Sequence, residues 1–328
     1  MIKIETNIHI PDRWDELTQP QAIETVLLLE GYFKGEYNLT EFRLKLLKKL
    51  TGYHPDKKKY NPEAWDQITF NLFTLSELLT FPLKPLYHNP ELLEVLPEAL
   101  QTKLQTTLPC DISDPNELQQ MQTITSLLKW EAQINLHICK NIMPDINGIP
   151  GTVFDIDEHG VVTTDMIAAE YVDAYEFFNL YRQTRAVKYL DAFISSLYRR
   201  NRGCYSTYLT QKNAALFTNV PVHVKNVAYL WFQSFLEYLY ERSQFTWLFN
   251  RTKSTEESFS MGMGASIYQL ASAGYGTKTE VELYPLQDYL SIQLKELTDA
   301  IKSMKDMDMK MNEIEKKTGL SADIIAQI

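Results

Sequence analysis

Aromatic residues are concentrated in one stretch, residues 165–250, and this concentration constrains the fold more than any other feature of the chain. The stretch holds 20 of the chain's 39 tryptophans, tyrosines and phenylalanines in about a quarter of its length. Many of its rings recur three and four residues apart, the spacing that places side chains on one face of a helix. The sets that share a face are Tyr171, Tyr175, Phe178 and Tyr181; Tyr189, Phe193, Leu197 and Tyr198; and Tyr229, Phe232, Phe235, Leu236 and Leu239. The stretch therefore predicts successive amphipathic helices that pack through aromatic inner faces.

The remainder of the chain also has mostly helical periodicity, so the predicted fold class is mainly α, a multi-helix, bundle-like architecture. Two small exceptions are expected. In residues 2–10 isoleucines alternate with polar residues, which predicts a short extended segment at the N-terminus. Residues 153–162, around Gly160, are a candidate for one small β-hairpin.

Several local elements follow from spacing and punctuation. The spacing of apolar residues predicts a long helix over residues 117–142. Prolines limit residues 81–115 to short helices, because each proline removes a backbone donor and disfavours helix in the residue before it. Thr, Glu and Val alternate over residues 277–283, which indicates a strand or an extended linker.

The best candidate for a domain boundary is the loop near residue 145, where Pro144, Gly148, Pro150 and Gly151 cluster. The predicted organisation is an N-terminal helical half (1–145), a linker with the hairpin (146–163), an aromatic-rich helical core block (164–250) and a C-terminal helical segment (251–328).

The C-terminal segment carries a short heptad seam. Its apolar residues follow a 4-3-4-3 spacing, which is typical of a coiled coil. They are Leu290, Leu294, Leu297, Ile301 and Met304. About two heptads more often pack a helix onto its own domain, which is the favoured interpretation, whereas an intermolecular seam would make the protein a homo-oligomer.

Charge and cysteine content bound the class of protein. The formal net charge of −10 disfavours binding of nucleic acid through its backbone, because that mode needs clustered Lys and Arg. Cys110, Cys139 and Cys204 have no metal-like or redox-like spacing and fit a reducing compartment. No apolar run approaches the roughly 20 residues that span a bilayer, and the first residues lack the apolar core of a signal peptide. We therefore expect a cytoplasmic protein without membrane association.

No residue pattern indicates a reaction, so we expect no catalytic residue, no metal, no cofactor and no small-molecule site. Gly262 and Gly264 lack the third glycine of a dinucleotide fingerprint and the lysine of a phosphate-binding loop. The six histidines are scattered without the pairing of helical metal sites. The acidic residues at 155–159 are interpreted as a solvated turn rather than a metal site.

One polar group is a candidate partner-binding site. It consists of Arg182, Arg185, Arg199, Arg200 and Arg202, interleaved with tyrosines. Three interpretations stay open: structural ion pairs, which are favoured, contact with an acidic protein surface, and contact with nucleic acid, which ranks last. Residues 317–325 also resemble the turn of a helix-turn-helix, although no basic residue follows Lys317.

Four stretches carry a resemblance to a known kind of protein. They read IPDRWDELT (residues 10–18), YLDAFISSLYRR (189–200), WFQSFLEYLYERSQFTWLF (231–249) and IYQLASAGYGTKTEVELYPLQDYLSIQLKEL (267–297). The first three resemble uncharacterised proteins of Bacteroidetes phages and prophages, and the last resembles the C-terminal part of tail-assembly proteins. This resemblance implies a non-enzymatic protein, chaperone-like or a minor virion protein, that binds other virion components in tail assembly. It would lie in the host cytoplasm or be incorporated in the virion. The alternative is a DNA-associated regulator of a mobile element that uses the C-terminal turn and the arginine group.

Overall fold

The computed structural model describes residues 9–125, 127–200, 205–249 and 262–328. The chain divides into two compact units, Met1–Ile138 and Cys139–Ile328. The fold is mainly α, as predicted, and the strands within the described residues form three small two-stranded antiparallel sheets. The extended segment predicted at residues 2–10 lies almost entirely outside the described residues.

The first unit is built from helices and one short sheet. Its elements are α1 (Gln19–Phe33), α2 (Leu39–Thr51), α3 (Pro62–Glu77), β1 (Leu83–Tyr87), α4 (Glu98–Thr106), α5 (Pro115–Thr125) and β2 (Trp130–Ile134). Short 3-10 helices lie at Trp14–Glu16, Lys57–Lys59, Pro90–Val95 and Pro109–Asp111. Local chemistry fixes α2: Asn38 and Glu41 cap its first turn reciprocally, and Gly52 ends it in the left-handed conformation. Helix α2 packs against both α1 and α3 and buries Phe42 and Leu46 completely.

The predicted helix over residues 117–142 is wrong in its second part. Helix α5 ends at Thr125, and β2 pairs with β1 so that Tyr87 lies opposite Trp130. A strand of five residues is too short for its period to stand out, and the residues that it pairs with lie 43 to 51 positions earlier in the chain. The residues between the two strands bury a small cluster of their own. Its members are Leu93, Leu96, Leu100, Leu104, Ile112, Met121 and Leu128.

The second unit contains the aromatic stretch. Its strands are β3 (Asp145–Ile146), β4 (Ile149–Pro150), β5 (Phe154–Ile156) and β6 (Val162–Thr164). Its helices are α6 (Ala168–Thr184), α7 (Val187–Leu197), α8 (Thr207–Asn213), α9 (Val222–Glu241), α10 (Thr246–Phe249), α11 (Gly262–Ser272), α12 (Lys278–Glu282), α13 (Leu286–Asp306), α14 (Met311–Thr318) and α15 (Ala322–Gln327), with a 3-10 helix at Ala214–Phe217. Strands β5 and β6 are the hairpin predicted around Gly160, which adopts a φ of 76° in the turn.

The core of the second unit lies where α6, α7 and α9 meet. The Phe178 and Tyr229 rings stack with centroids 4.5 Å apart, and Phe193 meets Phe232 edge to face at 5.2 Å. Phe193, Phe232 and Phe235 are completely buried. Ring pairs in these geometries add about 0.5–1.5 kcal/mol each beyond the area that they bury. The aromatic faces predicted from the sequence are therefore the core of this unit.

The extended segment predicted at residues 277–283 is wrong, because these residues form α12. Thr277 accepts a hydrogen bond from the Glu280 backbone N–H, and the Glu280 carboxylate accepts one from the Thr277 backbone N–H. This reciprocal cap satisfies two backbone donors that a helix start leaves open. The alternating Thr, Glu and Val residues therefore begin a helix rather than a strand.

Candidate partner-binding site

The arginines proposed as a partner-binding group are separated in the described part of the chain. Arg199 follows α7 and pairs with Glu170 in the first turn of α6, whereas Arg182 lies in the last turn of α6. Twelve residues of helix separate Glu170 from Arg182, which is about 18 Å along the axis. Arg200 is exposed. Arg202 lies outside the described residues.

Arg199 forms a buried ion pair inside the protein. Its side chain is 9% exposed and that of Glu170 is 0% exposed, and a charge-assisted hydrogen bond joins them. The Arg199 guanidinium also lies 4.8 Å from the centre of the Tyr205 ring. A buried charge must be paired to be tolerated, and the Glu170 carboxylate supplies that pairing for Arg199.

The second unit contains a further buried ion pair, which the sequence did not reveal and which ties α7 to α9. The Lys225 ammonium is 0% exposed and lies 2.5 Å from a carboxylate oxygen of Asp191. It donates a further hydrogen bond of 3.2 Å to the Phe217 carbonyl. The only signal in the sequence is a lysine inside an apolar run, and that signal names no partner.

Arg182 and Arg185, in contrast, face solvent at the junction of α6 and α7. Together with Val187 and Lys188 they form a surface that we call the α6–α7 corner. Residues 182–188 contain three cations and no acid, in a chain whose net charge is −10. The Val187 side chain is 42% exposed, so the corner also offers an apolar contact.

Arg185 holds the corner in an unusual backbone conformation. It is the C-cap of α6 with a φ of 55°, in the left-handed region that glycine usually occupies at this position. Its N–H donates to the Tyr181 carbonyl at 2.7 Å, which completes the helix end. Its guanidinium lies 5.9 Å from the centre of the Tyr181 ring. A long cationic side chain is thus presented where a glycine would be the easier choice.

The two arginines of the corner also act on the pKa of Tyr229, a residue of α9. Burial raises the pKa of Tyr229, and the nearby charges of Arg185 and Arg182 oppose that rise. Burial is the larger effect, so the pKa of Tyr229 lies above its ordinary value.

The second candidate group, the heptad seam of α13, packs within its own unit. Leu290 and Ile301 are buried, and Leu294, Leu297 and Met304 are partly buried. Ile301 belongs to a cluster that α14 and α15 complete. Its buried members are Ile301, Ile314, Leu320 and Ile325. Much of the seam is therefore used inside the chain, and a homo-oligomer through α13 stays a prediction.

A cavity of about 430 Å³ opens beside the start of α6, between α8 and α12. Its charged groups already have partners: Lys278 lies 3.1 Å from Glu282, and the Tyr205 hydroxyl donates a 2.6 Å hydrogen bond to Asp173 next to the cavity. Burial raises the pKa of Asp173, and the bond from Tyr205 opposes the rise. The cavity is of ligand size, but no charge in it awaits a counter-ion.

The other polar features of the described residues have local tasks. Asp157 accepts hydrogen bonds from the N–H groups of His159 and Val161, so the acidic residues at 155–159 shape the hairpin turn. In the described part of the chain no group of three His, Cys, Asp or Glu residues is placed to hold a metal ion. At the C-terminal turn, Gly319 adopts a left-handed conformation and Glu315 accepts from the N–H of Ala322. The helix that follows has six residues and an acid in its first turn.

Comparison of the chain with protein families, with curated proteins and with solved structures gives no match. None of the helices in the described residues is long and apolar enough to cross a membrane.

Proposed function

We propose that this chain is a non-enzymatic phage or prophage protein that binds other virion components in tail assembly, or is itself a minor virion protein. It docks an acidic surface of a partner protein on the α6–α7 corner. The observation that carries the proposal is the corner itself, with Arg182, Arg185 and Lys188 exposed around Val187.

The corner has the chemistry of a protein contact. Arginine is enriched at protein interfaces, because its stem offers apolar contact and its planar fork pairs with carboxylates. The left-handed backbone at Arg185 costs on the order of 1 kcal/mol relative to glycine. The helix dipole offsets part of that cost, since a cation near a helix C-terminus contributes about 0.3–1 kcal/mol. The net cost of an arginine at this position is therefore small, and the arginine places a cation at the exposed end of α6.

The alternative, a DNA-associated regulator, receives less support. Arg199 is committed to Glu170, and the α6–α7 corner by itself offers three cations, Arg182, Arg185 and Lys188. Three phosphate contacts would give a salt dependence of only about −2.7 in log K against log salt, which is weak for a DNA-binding protein. The helix after Gly319 carries Asp323 in its first turn, which would repel phosphate.

The test is affinity capture of the tagged full chain from cells that carry its native element. Wild type is compared with Arg182→Glu/Arg185→Glu and with Lys295→Glu/Lys302→Glu, a control with the same charge change on exposed positions of α13. We expect wild type and control to recover tail tube, tape-measure or other virion proteins, and the corner variant to lose them. Recovery of DNA that modest salt releases, without virion protein, would favour the regulator. Equal recovery by all three proteins would refute the role of the corner.

A further inference from the structure

Helix α3, in the first unit, exposes two phenylalanines on the side that faces away from the core. Phe70 is 65% exposed and Phe73 is 39% exposed. The buried residues Ile68 and Leu72 each lie two positions from Phe70, which is about 160° around the helix. Phe70 therefore points away from the core and does not belong to the edge of the core.

The exposed rings belong to an ordered stripe along α3. Glu63, Asp66, Phe70, Phe73 and Glu77 follow a 3-4-3-4 spacing and are all exposed, and we call them the α3 outer stripe. The two rings occupy its centre, and carboxylates occupy both ends. No Lys or Arg occurs between residues 62 and 80.

The carboxylates of the stripe are open to a partner. The ion pairs found within the described residues do not use Glu63, Asp66 or Glu77. A contiguous exposed apolar patch rimmed by polar residues is typical of an interaction site, and the two neighbouring rings between carboxylates have this arrangement.

We propose that the α3 outer stripe is a docking site for an amphipathic helix of another protein, with Lys or Arg at its ends and apolar residues at its centre. Charge complementarity selects this occupant: acids flank the rings on both sides, so the partner must carry cations on both sides of its apolar residues. A second copy of the chain does not fit. In an antiparallel pair Asp66 would approach Glu77, and in a parallel pair each acid would face itself.

This docking site is independent of the α6–α7 corner. It lies in the other unit, it attracts the opposite charge, and its test uses different variants. The Arg182→Glu/Arg185→Glu protein is expected to keep α3 binding unchanged, so failure of either proposal is recognised separately.

The test uses two fluorescent helical peptides, identical except for charge. In both, leucines occupy the two central positions of a 3-4-3-4 stripe; the end positions are Lys in one peptide and Glu in the other. Fluorescence anisotropy with the full chain measures the dissociation constant of each. We expect the Lys peptide to bind at least tenfold more tightly than the Glu peptide.

Three variants define the contact. Phe70→Ser/Phe73→Ser is expected to raise the dissociation constant of the Lys peptide at least tenfold. Asp66→Lys/Glu77→Lys is expected to bind the Glu peptide more tightly than the Lys peptide. Val95→Ser, at a residue that is 76% exposed on another element, is the control and is expected to change nothing. Circular dichroism spectra that match wild type establish that each variant is folded.

Failure of the Lys peptide to bind wild type, equal binding of both peptides, or binding that survives Phe70→Ser/Phe73→Ser would each overturn the proposal. Size-exclusion chromatography with light scattering tests whether a second copy of the chain occupies the stripe instead. A wild-type dimer that Phe70→Ser/Phe73→Ser converts to a monomer would assign the stripe to a second copy and would equally overturn it.

Discussion

The buried Lys225–Asp191 pair gives the sharpest test of what holds the second unit together. Replacing Asp191 with asparagine leaves the Lys225 ammonium in place, 0% exposed, with the Phe217 carbonyl as a remaining acceptor at 3.2 Å. Removing one partner of a buried ion pair costs about 3–5 kcal/mol, because the other charge stays in the interior without compensation. We expect Asp191→Asn to lower the free energy of unfolding by about that amount.

Urea unfolding at pH 7, followed by tryptophan fluorescence and far-UV circular dichroism, measures this loss. For a unit of this size each kcal/mol corresponds to about 2–4 °C, so the melting temperature should fall by roughly 6–20 °C. The double variant Asp191→Asn/Lys225→Met removes the charge as well as its partner and should regain at least half of the loss. The reasoning is refuted if Asp191→Asn costs less than about 1 kcal/mol, or if the double variant is no more stable than the single one.

Two further predictions concern the same unit. A Cβ at Gly151 would lie 2.5 Å from Cε1 of Tyr198, a buried ring whose hydroxyl donates a hydrogen bond to the Met143 carbonyl. Gly151→Ala should therefore destabilise the protein by about 1–3 kcal/mol, measured by urea unfolding. An unchanged unfolding midpoint would contradict this prediction, because it would mean that the ring moves freely. Burial raises the pKa of Asp173, so the folded state holds the carboxyl proton more tightly than the unfolded chain does. The stability that this proton contributes is present at low pH and is lost as pH rises through the folded pKa. The stability of wild type relative to Asp173→Asn should therefore fall as pH rises from about 4, the unfolded value, and a flat difference between pH 3.5 and 7 would contradict it.

Sequence predicted what depends on near neighbours. The aromatic spacing of α6, α7 and α9 identified the buried faces, because helical contacts recur every three or four residues. Strand β2 was missed because the residues that it pairs with lie 43 to 51 positions earlier, and no local pattern encodes that pairing. Helix α12 was missed although the sequence contained its signal, since Thr277 and Glu280 stand in the Thr-x-x-Glu arrangement of a capping box.

In the candidate site, too, contacts between residues distant in sequence could not be predicted. A cluster of arginines in the sequence does not reveal which ones meet a carboxylate, and only the fold separates Arg199, paired with Glu170, from the exposed Arg182 and Arg185. Lys225 could not be matched to Asp191, which lies 34 positions earlier on a different helix. The α3 outer stripe, however, could have been read directly, because a phenylalanine two positions from each of two core residues on a helix must face outward.

The antiparallel pairing of β1 with β2 has a consequence for how related chains can vary. It fixes the two ends of residues 88–129 side by side, since paired strands lie about 5 Å apart. The segment between them buries a cluster of its own. Such a segment can be lengthened or shortened as long as Asp111 is retained, because Asp111 lies 2.6 Å from the buried guanidinium of Arg43 in α2 and compensates its charge. Variation among related chains should therefore concentrate between Tyr87 and Trp130.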